Sequence, residues 1–207
     1  MLSMCDVYYE ELIKKWKTGG PGGTEGGWAG LYYGVVSKVI NDNNFKRCAE
    51  VGIGYGFHAK QILDNTNVER LYLIDPMKYY PNDGWAKDVQ YRYKGFDNLI
   101  ENIKKHLSVH EDRYTWYVQP SLETTNEQVE DESLDLVFID GDHTYNAVSK
   151  DLVLWWSKLK KGGWMLGDDY IIGRVKNAVD DWAAKVGLTV QFLYKEGRNH
   201  PIYYFIK

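Results

Sequence analysis

Five short apolar runs recur along this chain, most of them separated by a segment with helical periodicity. That alternation limits the fold more than any other feature. The runs are Arg47–Val51, Leu71–Ile74, Tyr114–Val118, Leu134–Ile139 and Gly163–Leu166. Helical patterns lie over residues 57–63, 96–107, 122–129, 145–159 and 175–186, after two earlier ones over 4–17 and 28–40. The segment Pro76–Tyr93 reads as irregular and aromatic. Strands that alternate with helices form parallel sheets whose faces are both covered. Two further runs, Leu188–Tyr194 and Ile202–Ile206, flank a Gly197-Arg198-Asn199 turn with no helix between them, so one strand there must run antiparallel. The expected fold is α/β: a Rossmann-like, seven-stranded, mostly parallel sheet with one antiparallel strand in a C-terminal hairpin and helices on both faces.

The length of 207 residues suits a single domain over residues 1–207, introduced by an N-terminal helix and a glycine-rich cap segment within 1–30. Lys and Arg number 25 against 29 Asp and Glu, so no basic field recommends nucleic acid or an anionic membrane. No apolar stretch approaches the roughly 18 residues of a membrane span. Cys5 and Cys48 are the only cysteines, which excludes a disulfide scaffold and fits a reducing, cytoplasmic setting.

In open parallel sheets, ligands bind beyond the carboxyl ends of the strands. Here those ends carry Glu50-Val51-Gly52-Ile53-Gly54-Tyr55-Gly56, then Asp75, then Asp140-Gly141-Asp142-His143, then Asp168-Asp169. Glycines at 52, 54 and 56 let the backbone turn tightly against a ligand. Asp75 follows 21 residues after Gly54, where a carboxylate can accept ribose hydroxyls. A dinucleotide site would present a third glycine where Phe57 stands. Glu50 beside the turn repels a pyrophosphate and suits a cationic ligand such as S-adenosylmethionine.

Those residues resemble the class I S-adenosylmethionine-dependent methyltransferases, in the metal-dependent O-methyltransferase branch. Ala49 to Gly56 is similar to their first motif, and Leu73-Ile74-Asp75 to their second. Thr24-Glu25-Gly26 resembles the loop that closes over the cofactor in the catechol and caffeoyl-coenzyme A enzymes. Asp140 to Tyr145 with Gly167-Asp168-Asp169-Tyr170 resembles the metal and catalytic segments. The resemblance implies methyl transfer to an oxygen. It assigns S-adenosylmethionine to Glu25, Glu50, Gly52, Gly54, Gly56, Asp75 and Asp140, with Ser121 near the adenine, and the metal to Asp140, Asp168 and Asp169.

Residue chemistry points the same way: three carboxylates at neighbouring strand ends repel unless a cation or protons intervene. All-oxygen ligands favour Mg²⁺, with Mn²⁺ and Ca²⁺ as alternatives. His143 is the expected base, with Asp142 as the alternative. His143 stands where the phenolic enzymes of this branch carry a lysine, and related sugar enzymes use the second Asp of an Asp-Gly-Asp run. The Asp168-Asp169 pair is closer to the sugar O-methyltransferases, so the expected acceptor is a deoxyhexose such as rhamnose on a glycan or glycoside, with a catechol or other phenol second. Trp28, Tyr32, Tyr33, Tyr79, Tyr80 and Trp85 are the rings that could stack on a sugar or pack on each other. Expected partners are that acceptor and, as an open option, a second copy of the chain. An NAD-dependent dehydrogenase would share the fold but leave the aspartates unexplained, and a non-catalytic binding domain would leave the whole strand-end cluster unexplained.

Overall fold

The computed structural model describes residues 3–18, 33–79, 84–194 and 201–207. Helix α1 (Met4–Thr18) and helix α2 (Tyr33–Asp42) precede β1 (Arg47–Val51), α3 (Phe57–Asn65) and β2 (Arg70–Ile74). Then come α4 (Gly84–Tyr93), α5 (Phe96–Leu107), β3 (Tyr114–Tyr117), β4 (Leu134–Ile139) and α6 (Tyr145–Lys158). The chain closes with β5 (Leu159–Gly167), α7 (Gly173–Val186), β6 (Gln191–Leu193) and β7 (Ile202–Ile206).

The sheet order is β3-β2-β1-β4-β5-β7-β6. Strands β1 to β5 pair in parallel, while β7 runs antiparallel to both β5 and β6. The expected architecture therefore holds, with β7 as the single reversed strand. Because side chains alternate along a strand, each strand feeds two cores. Cys48, Leu71, Leu73, Leu136 and Phe138 pack with α1, α2, α3 and α5 on one face. Ala49, Tyr72, Ile74, Val137 and Ile139 pack with α6 and α7 on the other. This burial on both faces is why the strands read as continuous apolar runs.

Four boundaries differ from the sequence expectation. Residues 84–93, expected to be irregular, form α4, whose Ala86, Val89 and Tyr93 are buried at helical spacing. The helix expected over 122–129 shrinks to a 3-10 turn at Ser121–Glu123. The side chains of Thr125 and Gln128 take each other's backbone N–H groups, the reciprocal pairing of a helix start, but the chain turns without continuing as a helix. Strand β5 begins at Leu159 rather than Gly163, its pairing with β4 shifting register between Leu134 and Leu136. Strand β6 keeps only three residues of the expected Leu188–Tyr194. The Gly197-Arg198-Asn199 turn and most of the glycine-rich cap lie outside the described residues.

Candidate active site

The polar strand ends form one row. Beyond the regular strands, Asp75 N–H donates to Tyr117 O (3.4 Å), Gly52 N–H to Ile74 O (2.8 Å), Asp140 N–H to Val51 O (2.8 Å) and Asp168 N–H to Ile139 O (3.1 Å). Each donor extends the ladder by one residue, so the sheet itself sets Asp75, Gly52, Asp140 and Asp168 side by side. Gly52 has φ +85°, and a Cβ there would lie 2.1 Å from the Asp140 carbonyl oxygen. The glycine turn thus leans directly on the backbone of the acidic segment. Gly54 has φ +51°, and among the described residues nothing would lie within 4 Å of a Cβ there, so they leave this side of the turn open. Gly56, also at positive φ, starts α3.

Asp75 holds the turn. Its Oδ2 accepts from Ile53 N–H (2.9 Å) and Gly54 N–H (3.3 Å), and its Oδ1 from Met77 N–H (2.8 Å). Burial raises its pKa, and those three donors oppose the rise. The carboxylate oxygens keep further lone pairs for a ligand. Glu50 is 2% exposed. Its Oε1 lies 3.1 Å from His58 Nδ1 on the first turns of α3, while Oε2 is buried with no hydrogen-bond partner among the described residues. An orphaned buried carboxylate oxygen is costly, and its position beside the turn suits a donor group from a ligand. His58 was not singled out in the sequence; its only signal is a histidine eight residues after Glu50.

Across the row, three ligand-type side chains meet: Asp140, His143 and Asp169 offer atoms that all lie within 4.8 Å of one another. His143 Nε2 is 3.0 Å from Asp169 Oδ2 and 3.4 Å from Asp140 Oδ1. Hydrogen bonding to Asp140 and then Asp169 pushes the His143 pKa up to about 10. Burial raises Asp140, opposed by His143. Asp168, 8% exposed, is pushed up to about 8, first by burial and then by the charges of Asp140 and Asp169. Its Oδ1 accepts the Asp169 N–H at 2.6 Å. Of the three aspartates expected at a metal, the structure therefore gathers Asp140 and Asp169 with His143, and sets Asp168 close behind. Carboxylates set this close repel one another unless protons or a cation offset their charge.

Asp142 is exposed, and its Oδ1 accepts the Thr144 N–H at 2.8 Å, a turn that leads into α6. Its Oδ2 carries no hydrogen bond among the described residues. Ser121 bonds the buried Asp151 and accepts from Trp155 Nε1 (2.9 Å), which ties the 3-10 turn to α6. Glu25, Trp28, Tyr32 and Tyr80 lie outside the described residues. Trp85 packs edge-on against Tyr55 and Phe96, whereas Tyr79 is exposed. Two tyrosines were not anticipated. Tyr9 in α1 donates to the Tyr55 carbonyl of the glycine turn (2.7 Å). Tyr203 in β7 lays its ring on Gly167, where a Cβ would meet it at 2.1 Å.

The profile of the Methyltransf_24 family, described as a methyltransferase domain, matches residues 49–170, more than half of the chain and all of the strand-end row up to Tyr170. The chain belongs to that family. The chain is also 26% identical over 142 residues to an uncharacterized protein of Acanthamoeba polyphaga mimivirus, covering 68% of the chain. It spans 59% of that relative's length. Among solved structures, the O-methyltransferase NovP superposes with a TM-score of 0.66 at 17% identity, covering 98% of this chain and 99% of its own. An O-methyltransferase from Bacillus cereus in complex with SAH gives 0.62 at 11% identity, with coverages of 97% and 91%. The SAH-bound methyltransferase PaMTH1 of Podospora anserina gives 0.54 at 14%, covering 100% and 89%. At these identities the likeness is one of fold. Among the described residues no helix is long and apolar enough to cross a membrane.

Proposed function

We propose that this methyltransferase moves the methyl group of S-adenosylmethionine to a hydroxyl of an acceptor that carries two adjacent oxygens, with a divalent cation at the acidic cluster. One observation carries the reading. Gly52 packs against the Asp140 carbonyl, so the donor turn and the cation cluster share a wall and both reactants lie within reach of each other.

The buried Glu50 oxygen without a partner fits the charged methionine end of the donor, and Asp75 at the next strand end fits its ribose. The open side of Gly54 lets the donor approach the backbone. Asp140, His143 and Asp169 fit a cation by their spacing, and with Asp168 beside them the carboxylates gather negative charge that a cation would offset. When bound, a cation supplies Lewis acidity, lowering the pKa of the acceptor hydroxyl. The chain's own residues orient the two reactants, which is a large share of the acceleration in group transfer.

For the base the geometry favours Asp142. His143 Nε2 is already engaged between Asp140 and Asp169, whereas the exposed Asp142 keeps Oδ2 free of hydrogen bonds among the described residues. The attacking oxygen gives its proton to Asp142 as it takes the methyl group, and the sulfonium leaves as the neutral thioether.

A sugar diol, such as that of a deoxyhexose on a glycan or glycoside, is the preferred acceptor. The Asp168-Asp169 pair supports it. NovP and the Bacillus cereus protein are O-methyltransferases by name, which supports oxygen as the methylated atom. The test is a methyl-transfer assay with labelled S-adenosylmethionine over rhamnosides and catechols, before and after chelation. The reading expects a methyl ether on the sugar that disappears with EDTA and returns with added cation. Full turnover after verified metal removal, or no calorimetric binding of S-adenosylmethionine, would overturn it.

A further inference from the structure

We infer that His143 binds the cation directly through Nε2, so that the site holds one nitrogen and two carboxylate ligands and selects Mn²⁺, Fe²⁺ or Co²⁺ over Mg²⁺. The inference rests on the cation reading above and deepens it.

The argument starts from how Nε2 is shared. It lies 3.0 Å from Asp169 Oδ2 and 3.4 Å from Asp140 Oδ1. A ring nitrogen carries at most one hydrogen, which points at one acceptor. Two carboxylates converging on it at these distances leave the second poorly served by any proton. A cation set among the three serves all of them. Adjacent ligands of a six-coordinate ion with bonds of about 2.1 Å stand roughly 3 Å apart. The Asp169 spacing matches that figure, and the Asp140 spacing is within half an ångström of it.

The third aspartate does not join the group. Asp168 Oδ1 is engaged by the Asp169 N–H at 2.6 Å, and Asp168 is absent from the group whose ligand atoms lie within 4.8 Å. Asp169 itself adopts φ +57°, the left-handed region that aspartate tolerates better than most residues. An imidazole in place of one oxygen changes the preferred metal. Mg²⁺ seeks oxygen ligands and water, while imidazole nitrogen suits the later first-row ions, whose affinity for mixed nitrogen and oxygen sites rises from Mn²⁺ onward.

The experiment uses the full chain stripped of metal and reloaded with Mn²⁺. Pulsed electron paramagnetic resonance should show ¹⁴N modulation from a directly bound imidazole, absent in His143→Gln. Calorimetry should find Mn²⁺ bound at least tenfold more tightly than Mg²⁺. His143→Gln should lose at least tenfold in Mn²⁺ affinity and much less in Mg²⁺ affinity, with S-adenosylmethionine affinity and melting temperature near those of the parent. Mn²⁺ bound without nitrogen coupling and with unchanged affinity in His143→Gln would overturn this inference and leave the cation site standing. No Mn²⁺ binding at all, with S-adenosylmethionine still bound, would overturn the cation reading and this inference together.

Discussion

Replacing Gly52 by alanine should unfold much of the protein, whereas the same change at Gly54 should leave it folded. A Cβ at Gly52 would sit 2.1 Å from the Asp140 carbonyl oxygen and 2.6 Å from Gly141 Cα, both backbone atoms that cannot rotate away. Relief requires the ends of β1 and β4 to separate by about an ångström, a strain of the overpacking kind that costs roughly 1–3 kcal/mol. The same movement stretches the Asp140 N–H to Val51 O bond, now 2.8 Å, whose loss costs about 0.5–1.5 kcal/mol. The left-handed backbone at φ +85° adds about 1–2 kcal/mol for a residue with a side chain. Together these reach about 3–6 kcal/mol, a large share of the roughly 5–15 kcal/mol that holds a typical domain together. Gly54→Ala incurs only the backbone cost of about 1–2 kcal/mol, since none of the described residues lies within 4 Å of its Cβ. Its methyl group should instead obstruct the bound donor. Urea unfolding of both variants, with calorimetric titration of S-adenosylmethionine into Gly54→Ala, separates the two roles. If Gly52→Ala proves no less stable than Gly54→Ala, the close contact between the turn and the acidic segment is wrong. If Gly54→Ala binds the donor as tightly as the parent, the open face of the turn is not where the donor lies.

Three further changes have defined outcomes. Asp75→Ala removes the acceptor for two turn N–H groups and that of Met77 and should weaken S-adenosylmethionine binding by about 1.5–3 kcal/mol, as expected for hydrogen bonds to a charged group; an unchanged calorimetric affinity would remove Asp75 from the donor site. Asp142→Asn keeps an oxygen for the Thr144 N–H but cannot take a proton, so kcat should fall by about 10²–10⁴ with donor affinity intact; stopped-time assays at saturating cation showing near-parent kcat would exclude Asp142 as base. Asp151, pushed up to about 6 mainly by burial, binds its proton more tightly folded than unfolded. Stability should therefore fall as pH rises from about 4 to 6, by at most about 3 kcal/mol. Asp151→Asn should flatten that segment of the melting-temperature profile and raise the melting temperature at pH 7, and a parent-like slope would refute the assignment.

The strands that build the site were readable because both of their faces are buried and their last residues are polar or glycine. Leu134–Ile139 followed by Asp140 needs no tertiary information to be seen as a strand ending at a ligand rim. Helix α4 was hidden because its buried stripe is only Ala86, Val89 and Tyr93 among charged residues and aromatics. The 122–129 segment misled in the opposite sense: Leu122 and Val129 carry a helical spacing, yet only Val129 reaches the core. At the site, residue types and strand ends located the aspartates, but side-chain direction did not follow from them. That His143, rather than Asp168, joins Asp140 and Asp169 depends on how the Asp169 backbone bends at positive φ. The contacts of His58, Tyr9 and Tyr203 lie eight or more residues away along the chain and belong to packing, not to any local pattern.

The ring of Tyr203 beneath Gly167 also sets an order of events during synthesis. Ribosomes deliver roughly 5–20 residues each second, so Asp140, Asp168 and Asp169 emerge seconds before the strand that supports them. Until residues 202–206 pair with β5, nothing fills the space under Gly167, and the nascent chain carries its acids on an unfinished floor. If the cluster binds a cation as proposed, ribosome-stalled chains halted before residue 202 should fail to hold it while the released protein does.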